Sequence, residues 1–428
     1  MEKIVIKDFL IFKDIEMPIN KFNILIGPQA SGKSLLAKLV YFFKNISNVM
    51  KSGFENERSF EGFLDKIEYE FLDFFPSQYW SKETKFSIKY SFQNVEVVVK
   101  SDFRRKQSIT ITFSENITAF YYDCLKSIVK HKEDLLLEQG LNDEVEHLSS
   151  HKLVINHSIN KKILDSDFSD FFEKSIFIPS SRSFFSALNK NIWTLTDQDI
   201  IDVDPFVSRF GRAYEQAKMF YNILQDKDGR IHKDFFQEDD SSLSYFKKII
   251  KGDYLKIDDK DWIHGKDYKV NLSRASSGQQ EALPMLMVLM INTNHRLGNM
   301  KSFFIEEPEA HLFPDAQNEV MSLLLNLYDK QQVGFFITTH SPYLITALNN
   351  SIYANELIKK GKLVAEDFVK LSEGSNPINL DHISAFAVED GSITNIIDYD
   401  YMMLGGYTLD NVSNSFEKVM DRLMELDN

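Results

Sequence analysis

Apolar and polar residues cluster along the chain in patterns that predict most of its elements. Residues 3–9 and 22–26 read as strands, and the second runs directly into glycine. A helical pattern follows over 33–43, and another over 58–75. Three short alternating runs, 85–92, 95–100 and 108–113, predict antiparallel strands joined by tight turns, one of them at Gln93-Asn94. From 115 to 173 the pattern is helical and polar, which predicts an inserted arm too short for a long coiled coil. Residues 175–179 read as a buried strand, 203–225 and 241–250 as helices, and 254–257 and 267–272 as strand pieces.

Beyond Gly278 the alternation becomes regular. A helix over 278–292 precedes a strand at 303–306. A helix at 314–328 then leads to a strand at 334–338 and a helix from Pro342. Strands alternating with helices predict an α/β fold with a parallel sheet. The tail at 383–397 predicts a hairpin turning at Asp390-Gly391. The expected division is 1–114 with an antiparallel β subdomain, 115–174 as a helical insertion, and 175–428 as the remainder, closing on a hairpin and a helix.

Composition narrows the functional classes. With 43% apolar and 26% charged residues, a chain of 428 residues can bury a large core. A net charge of −14 excludes a general nucleic-acid coat, although a local basic groove stays open. The small basic cluster Lys100, Arg104, Arg105 and Lys106 reads as a solvated loop, with a phosphate contact as the alternative. The single cysteine, Cys124, excludes an internal disulfide and a cysteine zinc cluster, and suits a reducing cytoplasm. Charges interrupt the N-terminal apolar run, so no signal peptide is expected. The apolar run at 283–291 is too short for a bilayer, so no membrane partner is expected.

Four motifs carry chemistry. The first, GPQASGKS, fits the phosphate-cradle pattern with Gly27, Gly32, Lys33 and Ser34. Glycines let backbone N–H groups aim at phosphate oxygens, and the following helix adds its positive end. Lys33 is expected to reach the β- and γ-phosphates, and Ser34 to bind Mg²⁺. The whole stretch Gly27, Pro28, Gln29, Ala30, Ser31, Gly32, Lys33, Ser34 and Leu35 is assigned to the nucleotide. The second motif, FFIEEPEAHLFP, places Glu306 and Glu307 directly after a strand, where ligands of α/β sheets sit. Glu306 is expected on the metal side, and Glu307 as the base that polarises the attacking water. The third, ASSGQQE, puts Ser276, Ser277 and Gly278 at a helix start. That start is either a plain cap pairing Ser277 with Gln280, or a seat for a γ-phosphate, and the two are compatible. The fourth is His340, just past a strand in ITTHSP, placed to hold a γ-phosphate or the water.

Taken in this order, the four motifs resemble the ABC-type ATPase head, and more closely the compact branch shared by SMC-type, RecF-type and OLD-family ATPases. EEPEAHLFP is the most OLD-like of them, and IFIPSSRS at 176–183 is similar to a further segment of that branch. The resemblance implies an ABC-type head: a mixed or parallel sheet, an antiparallel β subdomain and a short helical insertion. It implies ATP and Mg²⁺ as cofactors, with Glu307, His340 and Lys33 as the catalytic set and Ser34 with Glu306 at the metal. It also implies a homodimer or higher even oligomer, in which Ser276, Ser277 and Gly278 complete the partner's nucleotide site.

The sequence departs from the family pattern in places. Gln29-Ala30 stands where Asn-Gly is usual, and alanine fits only if that position avoids positive φ. Ser277 replaces the first glycine of the signature pair, and Gln93 is a weak match to the family's further glutamine. Arg182 either orders the sheet or approaches the nucleotide. About 78 residues follow the His340 helix, fewer than the nuclease domain of OLD enzymes needs. The acids Glu389, Asp398 and Asp400 crowd one short stretch and read as solvated, so no built-in nuclease is expected. The functional expectation is an ATP-hydrolysing switch of an anti-phage defence or toxin-type module, controlling a separate nuclease or toxin encoded nearby. The alternatives are a DNA repair or recombination ATPase that clamps DNA, and a non-hydrolysing scaffold, against which Glu307 and His340 argue.

Overall fold

The computed structural model describes residues 2–80, 84–102, 109–138, 156–187, 203–225, 242–258, 260–294 and 300–405. They group into two compact units, Met1–Ile19 with Lys38–Ser175, and Asn20–Ala37 with Ile176–Asn428. The chain therefore leaves the first unit for residues 20–37 and returns to it.

The first unit is built on a five-stranded sheet in the order β2-β1-β4-β5-β6. These strands are β1 (Glu2–Phe9), β2 (Phe12–Ile19), β4 (Ser87–Phe92), β5 (Val95–Ser101) and β6 (Ile109–Phe113), all paired antiparallel. The hydropathy pattern does not reveal β2. Its buried residues, Phe12, Ile15, Met17 and Ile19, depart from strict alternation, and Lys13, Asp14 and Glu16 make the segment look like a loop. Helix α1 (Lys33–Glu55) crosses into this unit. Helix α2 (Phe60–Phe74) starts at Ser59, whose hydroxyl accepts the Gly62 N–H at 3.1 Å. Helix α3 (Glu115–Glu138) and a helix α4 at 156–164 occupy the described part of the expected insertion.

Phenylalanines form the centre of this unit, with Phe9 against Phe86 at 4.8 Å between ring centroids and Phe42 edge-on to Phe71 at 5.2 Å. Cys124 is packed inside, and burial pushes its thiol up to about 12, which makes it inert at neutral pH.

The second unit centres on a six-stranded sheet in the order β14-β13-β3-β12-β11-β7. Its strands are β3 (Phe22–Ile26), β7 (Lys174–Ile178), β11 (Met300–Glu306), β12 (Gly334–Thr339), β13 (Ile383–Glu389) and β14 (Ser392–Asn395). Strands β13, β3, β12 and β11 run parallel, and β14 closes the edge antiparallel. Every residue of β3 is buried, as expected for a parallel strand covered on both faces. The hairpin from β13 to β14 turns at Asp390 and Gly391, both at positive φ, as its Asp-Gly pair requires. A second sheet of this unit, β10-β9-β8, has three antiparallel strands, β8 (Asp253–Ile257), β9 (Lys260–His264) and β10 (Lys269–Asn271), and adds Tyr254 and Ile263 to the core.

Around these sheets lie α5 (Ser183–Ala187), α6 (Pro205–Ile223), α7 (Ser242–Ile250), α8 (Ser277–Thr293), α9 (Pro314–Gln331) and α10 (Pro342–Lys359). Helix α8 is buried along its length from Glu281 to Ile291, which explains why its pattern is apolar all round. Pro284 lies inside it and removes the donor that the Gln280 carbonyl needs. The Ser186 hydroxyl supplies one instead, at 2.7 Å. No helix among the described residues is long and apolar enough to cross a membrane.

Candidate functional site

In the second unit, strand register brings the chemical motifs to one edge of the sheet. Ile26 at the end of β3 pairs with Thr339 of β12 on one side and Ala387 of β13 on the other, while Thr338 pairs with Glu306 of β11. The loop at Gly27, the acids at Glu306 and His340 thus all leave the carboxyl ends of parallel strands, where α/β folds bind ligands.

The loop that follows β3 wraps around a lysine. Pro28, Gln29 and Ala30 are exposed, Ser31 and Lys33 are buried, and Lys33 opens α1 with Ser34 exposed and Leu35 half-buried behind it. Lys33 Nζ donates to the carbonyls of Gly27 at 2.9 Å and Pro28 at 2.7 Å, and reaches Ser31 Oγ at 3.5 Å. Burial lowers the Lys33 pKa, against the opposing pull of Glu307 and Glu309. Gly27 must be glycine, because a Cβ there would meet the Val388 carbonyl oxygen at 2.2 Å.

Ala30 corrects an expectation, since it stands at φ +61°. The loop does use a left-handed residue here, and alanine pays for it with about 1–2 kcal/mol of strain. Ala30→Gly would release that strain but return about 0.4–1 kcal/mol of unfolded-chain entropy. The expected result is a net stabilisation of about 0.5–1 kcal/mol, read by urea unfolding. A loss of stability would show that the strain is held elsewhere.

Both acids sit at the end of β11. Glu306 is buried, and one of its oxygens accepts the Ser180 N–H at 3.2 Å. Its other oxygen, Oε1, is buried with no hydrogen-bond partner. An orphaned carboxylate oxygen costs free energy unless a ligand satisfies it. A carboxylate oxygen left without a partner, and a hydroxyl such as that of Ser34, are oxygen donors of the kind that would suit Mg²⁺, which takes one or two carboxylates and fills the rest with water and phosphate. Glu307 is partly exposed, and its N–H donates to the Thr338 carbonyl at 2.8 Å. Its backbone is at φ +45°, a strained position for glutamate of the kind that gathers at functional sites. The Glu307 carboxylate lies 3.4 Å from His340 Nε2.

Glu309 is a third acid, one that motif reading does not single out. One of its oxygens accepts both the Thr339 hydroxyl and the His340 N–H, each at 2.7 Å, and so fixes the histidine's backbone to the acid loop. Its other oxygen is buried without a partner. The signal is present in the spacing Glu306-Glu307-Pro308-Glu309, but a strand-end turn rich in acids also occurs without function. Burial raises the Glu309 pKa above its ordinary 4.5, and the Glu307 charge adds to the effect.

A carboxyl raised in this way ionises at a penalty in the folded state, so its cost is absent below pH 4.5 and grows as pH rises through the raised value. Glu309→Gln removes that titration. The stability difference between variant and wild type is expected to move in the variant's favour from pH 4.5 towards neutrality, measured by urea unfolding. A difference that stays flat over that range would contradict the assignment.

The residue that caps helix α8 is Ser276, not Ser277. The capping box pairs Ser276 with Gln279, one residue earlier than expected: the Gln279 N–H donates to Ser276 Oγ at 3.3 Å, and the Ser276 N–H donates to Gln279 Oε1 at 3.2 Å. The reason is the preceding 3₁₀ turn, Leu272–Arg274, whose Leu272 carbonyl accepts Gln280 Nε2 at 3.0 Å and occupies that side chain. Ser276 and Ser277 are exposed, and the hydrogen bonds of Ser276 stay within the cap. Gly278 packs against the acid loop, since a Cβ there would meet the His311 carbonyl oxygen at 2.7 Å.

Other candidates resolve differently. Gln93 sits at the β4–β5 turn and donates to Asp170 at 3.1 Å. Arg104, Arg105 and Lys106, and the expected C-terminal helix, lie outside the described residues. Asp398 accepts the N–H groups of Asp400 and Tyr401, both at 3.0 Å, and serves its own turn. Among the described residues, no three His, Cys, Asp or Glu side chains are grouped to hold a metal.

Comparison with known proteins adds the family. The profile of the AAA ATPase domain matches residues 1–345. No curated protein matches the sequence. Among solved structures, the chain is similar to an SMC head bound to the C-winged helix domain of ScpA, at 12% identity and TM-score 0.41, over 81% of this chain and 90% of that one. It is similar to RecF of the RecFOR pathway at 11% identity and TM-score 0.31, over 92% and 97%. A likeness to the ATP-binding cassette MJ0796, bound to ADP and phosphate, has 10% identity and TM-score 0.31, over 92% and 97%. These structural likenesses are loose. The family match instead covers most of the chain and runs through both the Gly27 loop and the acids at the end of β11. The chain belongs to the AAA ATPase domain family, and its reaction is the hydrolysis of ATP with Mg²⁺.

Proposed function

We propose that two copies of this chain close on ATP and act as a switch. In each copy Lys33 leaves the carbonyls of Gly27 and Pro28 for the β- and γ-phosphates, and the N–H groups of Gly27 and of residues 29–35 line the phosphate chain. Ser34 and the unpartnered Glu306 oxygen would hold Mg²⁺, which would supply charge neutralisation for the phosphate oxygens. Glu307 takes the proton of the attacking water, and His340 holds the γ-phosphate beside it. Ser276, Ser277 and Gly278 of one copy complete the site of the other.

The observation that carries this reading is the exposed start of α8. Two serines at a helix N-terminus face outward, with the Ser276 hydroxyl bonded only inside its own cap. A helix start of this kind suits an anion arriving from outside the chain.

Light scattering of Glu307→Gln with and without ATP and Mg²⁺ tests the assembly. The expected result is a mass that doubles only with nucleotide. A mass that nucleotide leaves unchanged removes the shared site.

The switch itself we assign to a cytoplasmic anti-phage defence or toxin-type module, in which ATP turnover controls a separate nuclease or toxin. The support is the resemblance of EEPEAHLFP to OLD-type ATPases. Purification of the native complex, together with the neighbouring genes, decides it. Finding neither a bound partner nor an adjacent toxic gene would remove this role and leave the ATPase standing.

A further inference from the structure

Among the described residues Arg182 is the largest fully buried side chain, and its guanidinium is bonded to backbone rather than packed against apolar groups alone. Four of its five N–H groups go to backbone carbonyls. Nε donates to the Glu281 carbonyl at 3.1 Å, Nη1 to those of Pro179 at 3.0 Å and Glu306 at 2.7 Å, and Nη2 to that of Glu307 at 2.9 Å. Its own backbone N–H donates to a Glu281 carboxylate oxygen at 2.9 Å, and the same oxygen lies 3.5 Å from Nε. Only a planar fork of donors reaches carbonyls on three separate segments at once.

Those segments belong to the site. Glu281 lies in the first turns of α8, just beyond the exposed Ser276 and Ser277. Glu306 and Glu307 are the two acids at the end of β11. Glu307 is held at φ +45°, a backbone setting that glutamate leaves unless its surroundings fix it. The two ends of the Glu307 residue are pinned from different sides, its N–H by the Thr338 carbonyl at 2.8 Å and its carbonyl by Arg182.

We infer that Arg182 is a positioning residue for hydrolysis: it ties the backbone of Glu306 and Glu307 to α8, so that the water-polarising pose of Glu307 is set from the helix whose start is exposed at Ser276 and Ser277. This inference rests on the role proposed above for Glu307. A phosphate seated on Ser276 and Ser277 would act on Glu307 through Glu281 and Arg182, both buried from solvent. Glu281 is thereby part of the same device.

The test separates binding from turnover. Arg182→Lys keeps the charge but reaches fewer carbonyls. Its kcat for ATP is expected to fall about 10²-fold, the loss typical of a misplaced reacting group. The dissociation constant of a fluorescent ATP analogue should stay within about threefold of wild type. A fall in affinity and melting temperature that accounts for the lost rate would reduce Arg182 to a structural role and overturn the inference, as would an unchanged kcat.

Should Arg182→Lys fail to fold, Glu281→Gln decides alone. It keeps side-chain volume and removes the counter-charge. A kcat reduced about 10-fold at unchanged affinity supports the coupling, whereas unchanged turnover, or affinity lost in step with turnover, refutes it. Glu307→Gln run alongside distinguishes the two failures. If that variant turns over at the wild-type rate, the role of Glu307 is wrong. If it is inactive while both Arg182→Lys and Glu281→Gln are fully active, only the coupling is wrong.

Discussion

Glu307→Gln is expected to lower ATP turnover by about 10²–10⁴-fold, the range for losing a general base, and to leave ATP binding intact. The substitution preserves shape, so the N–H to Thr338 and the carbonyl bond to Arg182 survive. What disappears is the ability to accept a proton. One of three neighbouring carboxylates loses its charge, while Glu306 and Glu309 remain. Phosphate release gives kcat, and a fluorescent ATP analogue gives affinity. Turnover within about threefold of wild type would remove Glu307 from the chemistry and leave His340, 3.4 Å away, as the next group to change.

Lys33→Ala should have the opposite signature. Nucleotide affinity is expected to drop by roughly 10²–10³-fold, since truncating one partner of a buried, hydrogen-bonded charge pair costs about 2–5 kcal/mol. Stability without nucleotide should hardly change. In the free protein Lys33 bonds to two loop carbonyls and carries a charge that burial penalises, so its loss removes a cost along with two hydrogen bonds. Calorimetric titration with ATP and Mg²⁺ reads the first quantity, and urea unfolding without ligand reads the second. A variant that binds ATP normally would show that Lys33 serves only to hold the loop together. One that unfolds in the absence of ligand would show that its two carbonyl bonds are structural.

Both variants touch residues that the chain's local pattern singles out unaided. GPQASGKS after an apolar run, and two acids after another, are local facts: a tight phosphate turn needs glycines in sequence, and a metal-side acid needs a strand end. The alternation of strands and helices after Gly278 is legible for the same reason, because burial on both faces of a parallel strand leaves a continuous apolar run. Strand β2 is not, since its exposed Lys13, Asp14 and Glu16 hide the buried positions.

The sequence by itself singled out the phosphate loop, the acids and the strand-end histidine as the candidate groups, and it pointed to ATP hydrolysis, the reaction that the family match supports. Tertiary structure alone decided how these groups are held. That Ala30 sits at positive φ, that Glu309 clamps the His340 backbone, and that Arg182 binds the carbonyls of both acids follow from contacts between segments far apart in the chain. Arg182 and Glu307 are 125 positions apart, and no local pattern encodes such a pair. Residue type and spacing declare what a side chain can do, whereas burial, strain and the choice of hydrogen-bond partner exist only once the sheet has brought its strand ends together.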